Sequence, residues 1–240
     1  MKKLVVIAAL AFGFTQLNAQ DNVTVKMSVK VEGLPEEYAG MAENDVVTYM
    51  KGEKSKTEVT SMMGSQIFLN DGAITTVLME QMGNKTGWTM TKAETEADEK
   101  ESAAKRQKPT IEYTTEKKMI AGYECTKAIV TSMVGKDKEK KEVKSDVWFT
   151  DKIKMPGTSK GRKGGGMGPD LTDLKGYPMQ TEMSMNQGGM EMKMISTVVE
   201  VDTKPIDDGV FKVSTEGYKM MTYKELKEQQ KKNSEEMDNH

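Results

Sequence analysis

Residues 22–31 read Asn22-Val-Thr-Val-Lys-Met-Ser-Val-Lys-Val31, and apolar and polar side chains alternate strictly along this stretch. The Val and Met side chains share one face of an extended chain, because successive side chains of a β-strand point to opposite faces. This alternation is typical of a half-buried antiparallel strand. We therefore expect a sheet with one face turned towards a core.

The same two-residue period recurs along most of the chain and predicts about eleven strands. Turn signals at Asn70-Asp71-Gly72 and Ala121-Gly122 separate neighbouring strands. Beyond the first strand, the predicted strands lie at 46–51, 56–63, 66–70, 73–79, 86–91, 110–115, 123–133, 143–150, 177–185, 190–201 and 210–213.

Two segments have the composition of helices. Residues 92–108 are rich in Ala, Glu and Lys, which favour helix, although so little apolar surface leaves the segment helical or mobile. From Thr222 onwards the chain is charged, and Glu225 completes a capping box with Thr222. Strands and helices do not alternate, so we expect a mainly β fold with minor α: a single highly curved antiparallel sheet, or half-open barrel, with one or two covering or flanking helices.

The N-terminus has the order of a secretory signal peptide, because a basic start is followed by an apolar run and a small residue, Ala19. The run at 4–14 is shorter than the roughly 20 residues that span a bilayer. We expect a signal peptide at 1–19 and an exported chain, with the periplasm favoured over secretion. The mature protein is expected to be soluble without a membrane span, and an N-terminal anchor is the alternative.

The mature chain is interpreted as one β domain at 20–221 with a charged helical tail at 222–240. The domain contains a flexible Gly-rich loop at 151–175, in which no phosphate-binding GxxxxGK[ST] motif is found. Two domains divided near residue 100 are the alternative. The sequence does not indicate an oligomeric state.

Composition excludes several classes of function. The only histidine is His240 and the only cysteine is Cys125, so catalytic triads, histidine-ligated zinc and intramolecular disulfides are excluded. The net charge is −2 with both signs interspersed, which gives no reason to expect a nucleic-acid partner. We expect no enzyme activity, no catalytic residue and no cofactor.

Methionine is abundant, with 22 of 240 residues, and it is concentrated in one predicted hairpin around Asn186-Gln187-Gly188-Gly189. If the turn keeps the register, six methionines share one face of the two strands. We take these as the candidate ligand-binding residues: Met179, Met183, Met185, Met190, Met192 and Met194.

Three uses of this methionine face are open. Methionine fills irregular cores, and it also lines adaptable surfaces for apolar ligands. Thioethers are soft ligands that select Cu(I), and the candidate copper ligands are Met183, Met185, Met190, Met192 and Met194.

Several short motifs resemble an exported bacteroidete family called domain of unknown function 4412. They are Ile120-Ala-Gly-Tyr-Glu-Cys-Thr-Lys127, Val147-Trp-Phe-Thr-Asp151, Leu174-Lys-Gly-Tyr-Pro178 and the ending Pro205-Ile-Asp-Asp208, Phe211 and Gly217-Tyr218. The resemblance covers roughly residues 22–220. That family is similar to the LolA/LppX-like periplasmic carriers, which implies a half-open antiparallel barrel covered by helices and a concave face that binds lipid or acyl chains. It implies no catalytic residue.

Together these observations predict a non-enzymatic envelope protein that holds an apolar ligand, such as an acyl chain or lipoprotein lipid, against the methionine face. Residues 92–108 or 151–175 are expected to gate the site. A Cu(I)-binding protein and a structural or interaction module without a small ligand are the alternatives.

Overall fold

The computed structural model describes residues 22–35, 38, 42–105, 107–134, 141–154, 168–171, 173–187 and 190–237. The predicted signal peptide and most of the Gly-rich loop at 151–175 lie outside these described residues.

The described chain forms twelve strands and two α-helices. A 3-10 helix lies at Asp208–Phe211. The elements are β1 (Asn22–Glu32), β2 (Glu43–Lys51), β3 (Lys54–Ser61), β4 (Gly64–Asn70), β5 (Ile74–Gln81), β6 (Asn84–Thr91), α1 (Lys92–Lys105), β7 (Thr110–Ile120), β8 (Tyr123–Val134), β9 (Lys141–Thr150), β10 (Tyr177–Gln187), β11 (Met190–Asp202), β12 (Lys219–Thr222) and α2 (Tyr223–Met237).

All twelve strands belong to one sheet in the order β12-β6-β5-β4-β3-β2-β1-β11-β10-β9-β8-β7. Neighbours are antiparallel except β12, which pairs with β6 in parallel. Because β1 pairs with both β2 and β11, strands from before and after residue 100 share this sheet. The prediction of a mainly β fold with one open antiparallel sheet is confirmed.

The strand predicted near the C-terminus differs from the structure. Residues 210–213 were expected to form a strand, but Asp208–Phe211 is a 3-10 helix, whose start is capped by the Asp207 carboxylate accepting from the Gly209 N–H. The strand lies further on, at Lys219–Thr222. Phe211 packs with Leu69 and Ile206 in a small core cluster, so its burial reflects a turn pressed onto the sheet.

One face of the sheet, called the concave face from here on, carries the alternating apolar side chains of β1. Residues directly opposite each other in antiparallel strands point to the same face. Val23 lies opposite Met50 of β2, and Met27 lies opposite Val198 of β11. Val23, Met50 and Val198 are buried, so the alternation marks the buried face.

The sheet is strongly curved around this face. Tyr177 of β10 is hydrogen-bonded to Thr48 of β2, although β11 and β1 separate the two strands. In a flat sheet, three strand spacings would keep them about 14 Å apart. The bend brings both side chains into one interior, where burial raises the pKa of Tyr177 to about 12 against the hydrogen bond with Thr48, which lowers it.

The half of the concave face formed by β7 to β9 is filled by apolar side chains. Ala128, Val130 and Val147 are completely buried. The segment before β10 crosses this half, and its Leu171 and Leu174 pack onto these residues. The space inside this half is therefore occupied by the chain itself.

The burial of Met183 gives a first prediction. Met183 is 1% exposed and Met62 is 79% exposed. Met183→Ala is expected to lower the free energy of unfolding by about 2–5 kcal/mol, because it leaves a cavity. Met62→Ala is expected to change it by less than about 0.5 kcal/mol. Urea denaturation measures both, and equal losses would show that Met183 does not support the core.

The turn between β5 and β6 gives a second prediction. Met82 has φ +49° and Gly83 has φ +82°, a pair of left-handed residues for which Asn-Gly is the preferred sequence. Met82→Asn is expected to raise the free energy of unfolding by up to about 1 kcal/mol. Met62→Asn, in a turn without this conformation, is the control. A melting temperature that is unchanged for Met82→Asn would contradict the expectation.

Candidate functional site

The six predicted methionines lie on the paired strands β10 and β11. Met183 is opposite Met194, Met185 is opposite Met192, and Gln187 is opposite Met190. The hairpin thus keeps the register on which a shared face depends. Met179, Met183 and Met192 are 0%, 1% and 7% exposed.

The burial of these three methionines favours core filling at their positions, whereas Met185 and Met194 are half-buried. Cys125 is also fully buried, its thiol donates to the Tyr123 carbonyl at 3.4 Å, and burial raises its pKa. Among the described residues, no group of three His, Cys, Asp or Glu side chains is placed to hold a metal ion. Binding of an apolar ligand or Cu(I) by the methionines stays a prediction.

The open space lies instead over the other half of the concave face, between β3 to β6 and the two helices. Two cavities of about 270 and 280 Å³ adjoin there. They share Asn70, Thr75, Thr95 and Glu99, which we call the waist. We refer to the two cavities together as the hollow.

The cavity of about 270 Å³, called the apolar chamber, has a floor of side chains from the concave face. Phe68, Val77 and Trp88 lie directly opposite one another on β4, β5 and β6, and Met90 follows Trp88 on the same face. Leu226 and Tyr223 of α2 close the chamber from above. An aromatic and thioether surface of this kind suits an apolar ligand.

The hollow remains open because α1 is poor in large apolar side chains. The sequence of α1 is Lys-Ala-Glu-Thr-Glu-Ala-Asp-Glu-Lys-Glu-Ser-Ala-Ala-Lys, in which the apolar residues are all alanine. Alanine is too small to fill the space that the curved sheet leaves beneath the helix. Leu171 and Leu174 fill the half of the concave face at β7 to β9, whereas α1 leaves a cavity beneath it.

Both helices begin with the same capping arrangement. The Glu94 carboxylate accepts from the Thr91 N–H at 2.8 Å, and the Glu94 N–H donates to the Thr91 hydroxyl. Thr222 and Glu225 repeat this pattern at α2, which confirms the predicted capping box. These hydrogen bonds lower the pKa of Glu94 and of Glu225. Each helix start is thereby fixed to the strand before it.

A polar contact, called the latch, joins the two helices over the apolar chamber. The Asp98 carboxylate of α1 accepts from the Lys227 ammonium at 2.7 Å and from the Tyr223 hydroxyl at 2.5 Å. The two hydrogen bonds of Lys227, to Asp98 and Tyr223, raise its pKa above 10.5. The stabilisation of the fold that comes from these bonds of charged Lys227 is fully present below pH 10.5. It is lost only as the pH rises through the pKa of Lys227 in the folded protein. Lys227 is therefore charged at neutral pH and keeps its hydrogen bond to Asp98.

The waist and the second cavity are polar. The cavity of about 280 Å³, called the polar chamber, is lined by Glu53, Lys92 and Glu96 together with backbone and small side chains. The Thr95 hydroxyl lies 3.4 Å from the Thr75 hydroxyl across the waist. Burial raises the pKa of Glu99, and the nearby Glu96 and Asp98 carboxylates raise it further.

No family model and no curated protein matches the chain, so membership of the domain of unknown function 4412 family stays a prediction. Solved structures similar to the chain include PNGF-II in space group P21, over 88% of this chain at 14% identity with a TM-score of 0.42. The chain spans 33% of the length of PNGF-II.

Two further solved structures are similar at lower TM-scores. The Mycobacterium tuberculosis lipoprotein LppX is similar over 77% of this chain and 88% of its own, at 11% identity and a TM-score of 0.35. MucB is similar over 83% of this chain and 60% of its own, at 9% identity and a TM-score of 0.38. Similarities this low transfer neither a ligand nor an activity. The described helices include none that is long and apolar enough to cross a membrane.

Sequence reasoning missed the hollow, although parts of it had a signal. Thr91-Lys-Ala-Glu94 is a capping box that places the start of α1. The strand at 86–91 was predicted, and its alternation puts Trp88 and Met90 on one face. The contact between Asp98 and Lys227 joins residues 129 positions apart, and no local pattern indicates it.

The latch gives a third prediction. Lys227→Met removes the ammonium that joins α2 to Asp98, and we expect amide hydrogen exchange in α2 to become several times faster. Lys224→Met is the matched control. Lys224 is 85% exposed, and its ion pair with Glu228 is long, at 4.0 Å, and lies within the same helix. Exchange that is equally fast in both variants would show that the latch does not hold α2.

Proposed function

We propose that this chain is a non-enzymatic envelope protein that binds an apolar chain, such as the acyl chain of a lipid, in the apolar chamber. One observation carries the proposal: Phe68, Trp88 and Met90 are only half-buried and face a cavity roofed by two helices. Large apolar side chains in a soluble fold are ordinarily covered. Here the space above these side chains is a cavity large enough for a ligand.

The size of the hollow supports this proposal. Small-molecule sites commonly enclose about 300–1,000 Å³, and the apolar chamber of about 270 Å³ opens at the waist into a second cavity of similar size. Each buried methylene contributes about 0.8 kcal/mol to binding. A chain of several methylenes therefore gains useful affinity from this floor without specific hydrogen bonds.

The two helices over the apolar chamber explain how an apolar ligand enters it. α1 contributes no large apolar side chain, and the latch between the helices is a part-buried ion pair in which the Lys227 and Asp98 side chains are still 39% and 31% exposed. Exposed ion pairs are worth only about 0–1 kcal/mol. Separating the helices is therefore inexpensive compared with opening a packed core. We take α1 as the gate of the apolar chamber. It lies within the segment 92–108, for which a gating role was expected.

Uptake of the neutral fluorescent probe N-phenyl-1-naphthylamine tests the proposal. Thr95→Phe places a ring in the waist and is expected to weaken probe binding about tenfold or more. Lys100→Phe adds the same ring on an exposed position of α1 outside the hollow and is expected to bind like the unaltered protein. Circular dichroism establishes that both variants keep the fold.

Native mass spectrometry of protein purified from its own envelope provides the second measurement. We expect a co-purifying lipid that is lost with Thr95→Phe and kept with Lys100→Phe. Absence of both lipid and probe uptake in the unaltered protein would refute the proposal. Probe uptake that is unaffected by Thr95→Phe would place the binding site outside the hollow.

A further inference from the structure

The second cavity of the hollow differs in character from the first and adjoins it directly. The polar chamber is bounded by the turn between β2 and β3 with Glu53, by the turn between β4 and β5, and by the first turns of α1. Its volume is about 280 Å³. It meets the apolar chamber at the waist, so one molecule can occupy both. A ligand that does so has an apolar chain and a polar head.

The charges around the hollow are unbalanced. Of the described residues that line the polar chamber, Lys92 is the only cation, whereas Glu53, Glu96 and Glu99 carry carboxylates. Among the residues that the structure describes, no cation lies within ion-pair distance of these three carboxylates. In the apolar chamber, Asp98 is already paired with Lys227 at 2.7 Å. The lining of the polar chamber thus has a surplus of negative charge.

This surplus discriminates between head groups. A carboxylate or phosphate placed beside the exposed Glu96 and the half-buried Glu99 meets like charges, and water screens the half-buried Glu99 carboxylate less than a group at an open surface. An ammonium group meets unpaired carboxylates there and hydroxyl and amide groups from Thr75, Thr95 and Asn70. The shape of the hollow and its charge point to the same ligand.

We propose that the hollow binds a single-chain amphiphile with a cationic head, the chain lying in the apolar chamber and an ammonium group in the polar chamber beside Glu96 and Glu99. This inference rests on the proposed function, because it assumes that the apolar chamber holds the chain. It adds the class of head group, and it excludes a free fatty acid as the preferred ligand.

Calorimetric titration with three ligands of equal chain length tests the head group. Decylammonium and decanoate, each below its micellar concentration, present a cation and an anion, and decanol, below its solubility limit, presents a neutral group. At low ionic strength we expect decylammonium to bind the unaltered protein at least tenfold more tightly than decanoate, with decanol between them. The ratio is expected to fall as salt is added, because salt screens the carboxylates.

A pair of charge variants locates the effect. Glu96→Gln with Glu99→Gln is expected to weaken decylammonium binding about tenfold more than it weakens decanol binding. Glu216→Gln with Glu228→Gln changes the net charge equally at exposed positions outside the hollow and is expected to keep the preference. Equal loss in both double variants would show a general charge effect and overturn the assignment to the polar chamber.

The remaining outcomes separate this inference from the proposed function. Equal binding of the three decyl ligands would overturn the cationic head and leave chain binding intact. Binding of none of them would overturn the proposed function itself. Butylammonium, which carries the same head on a short chain, is expected to bind at least tenfold more weakly than decylammonium. Equal affinity would indicate a site for free amines and overturn the amphiphile.

Discussion

The backbone hydrogen bonds of β1, to β2 on one side and to β11 on the other, are the interaction on which the rest of the structure depends. They join two meanders that are far apart in sequence into one sheet. Because β1 lies in the middle of the order, the bend of the sheet brings both meanders towards each other. The shared interior around Val25 and Met179 is the result, and the hollow is the part of that interior which remains unfilled.

The two halves of the concave face are covered by different means, and this difference places the candidate site. A loop with two leucines covers β7 to β9 and packs closely. Two charged helices cover β3 to β6, and α1, whose apolar side chains are all alanine, leaves space above Phe68 and Trp88. Burial of apolar surface drives folding in proportion to the area removed from water. The half at β7 to β9 therefore stabilises the fold, and the half at β3 to β6 keeps apolar surface available for a ligand.

The sequence determines the strands well, because period-two alternation is a local property of each strand. Val23 to Val31 and the methionines of β10 and β11 lie on the faces that the alternation assigns to them. Whether a face borders a core or a cavity depends on what covers it, and that is decided by distant segments. Met183 is covered and Trp88 is half-open, although both belong to alternating strands. The strand at Lys219–Thr222 was missed because four residues give too short a pattern.

An open sheet of this size keeps two edges, and each edge has a feature that limits the addition of further strands. On β7, the register shifts between Tyr113 and Lys117, and the Thr114 hydroxyl donates to the Lys127 carbonyl inside this irregularity. At the other edge, β12 is only four residues long. Bulges, lysines and short edge strands all oppose intermolecular pairing. The protein can thus leave its barrel unclosed without offering a template for aggregation.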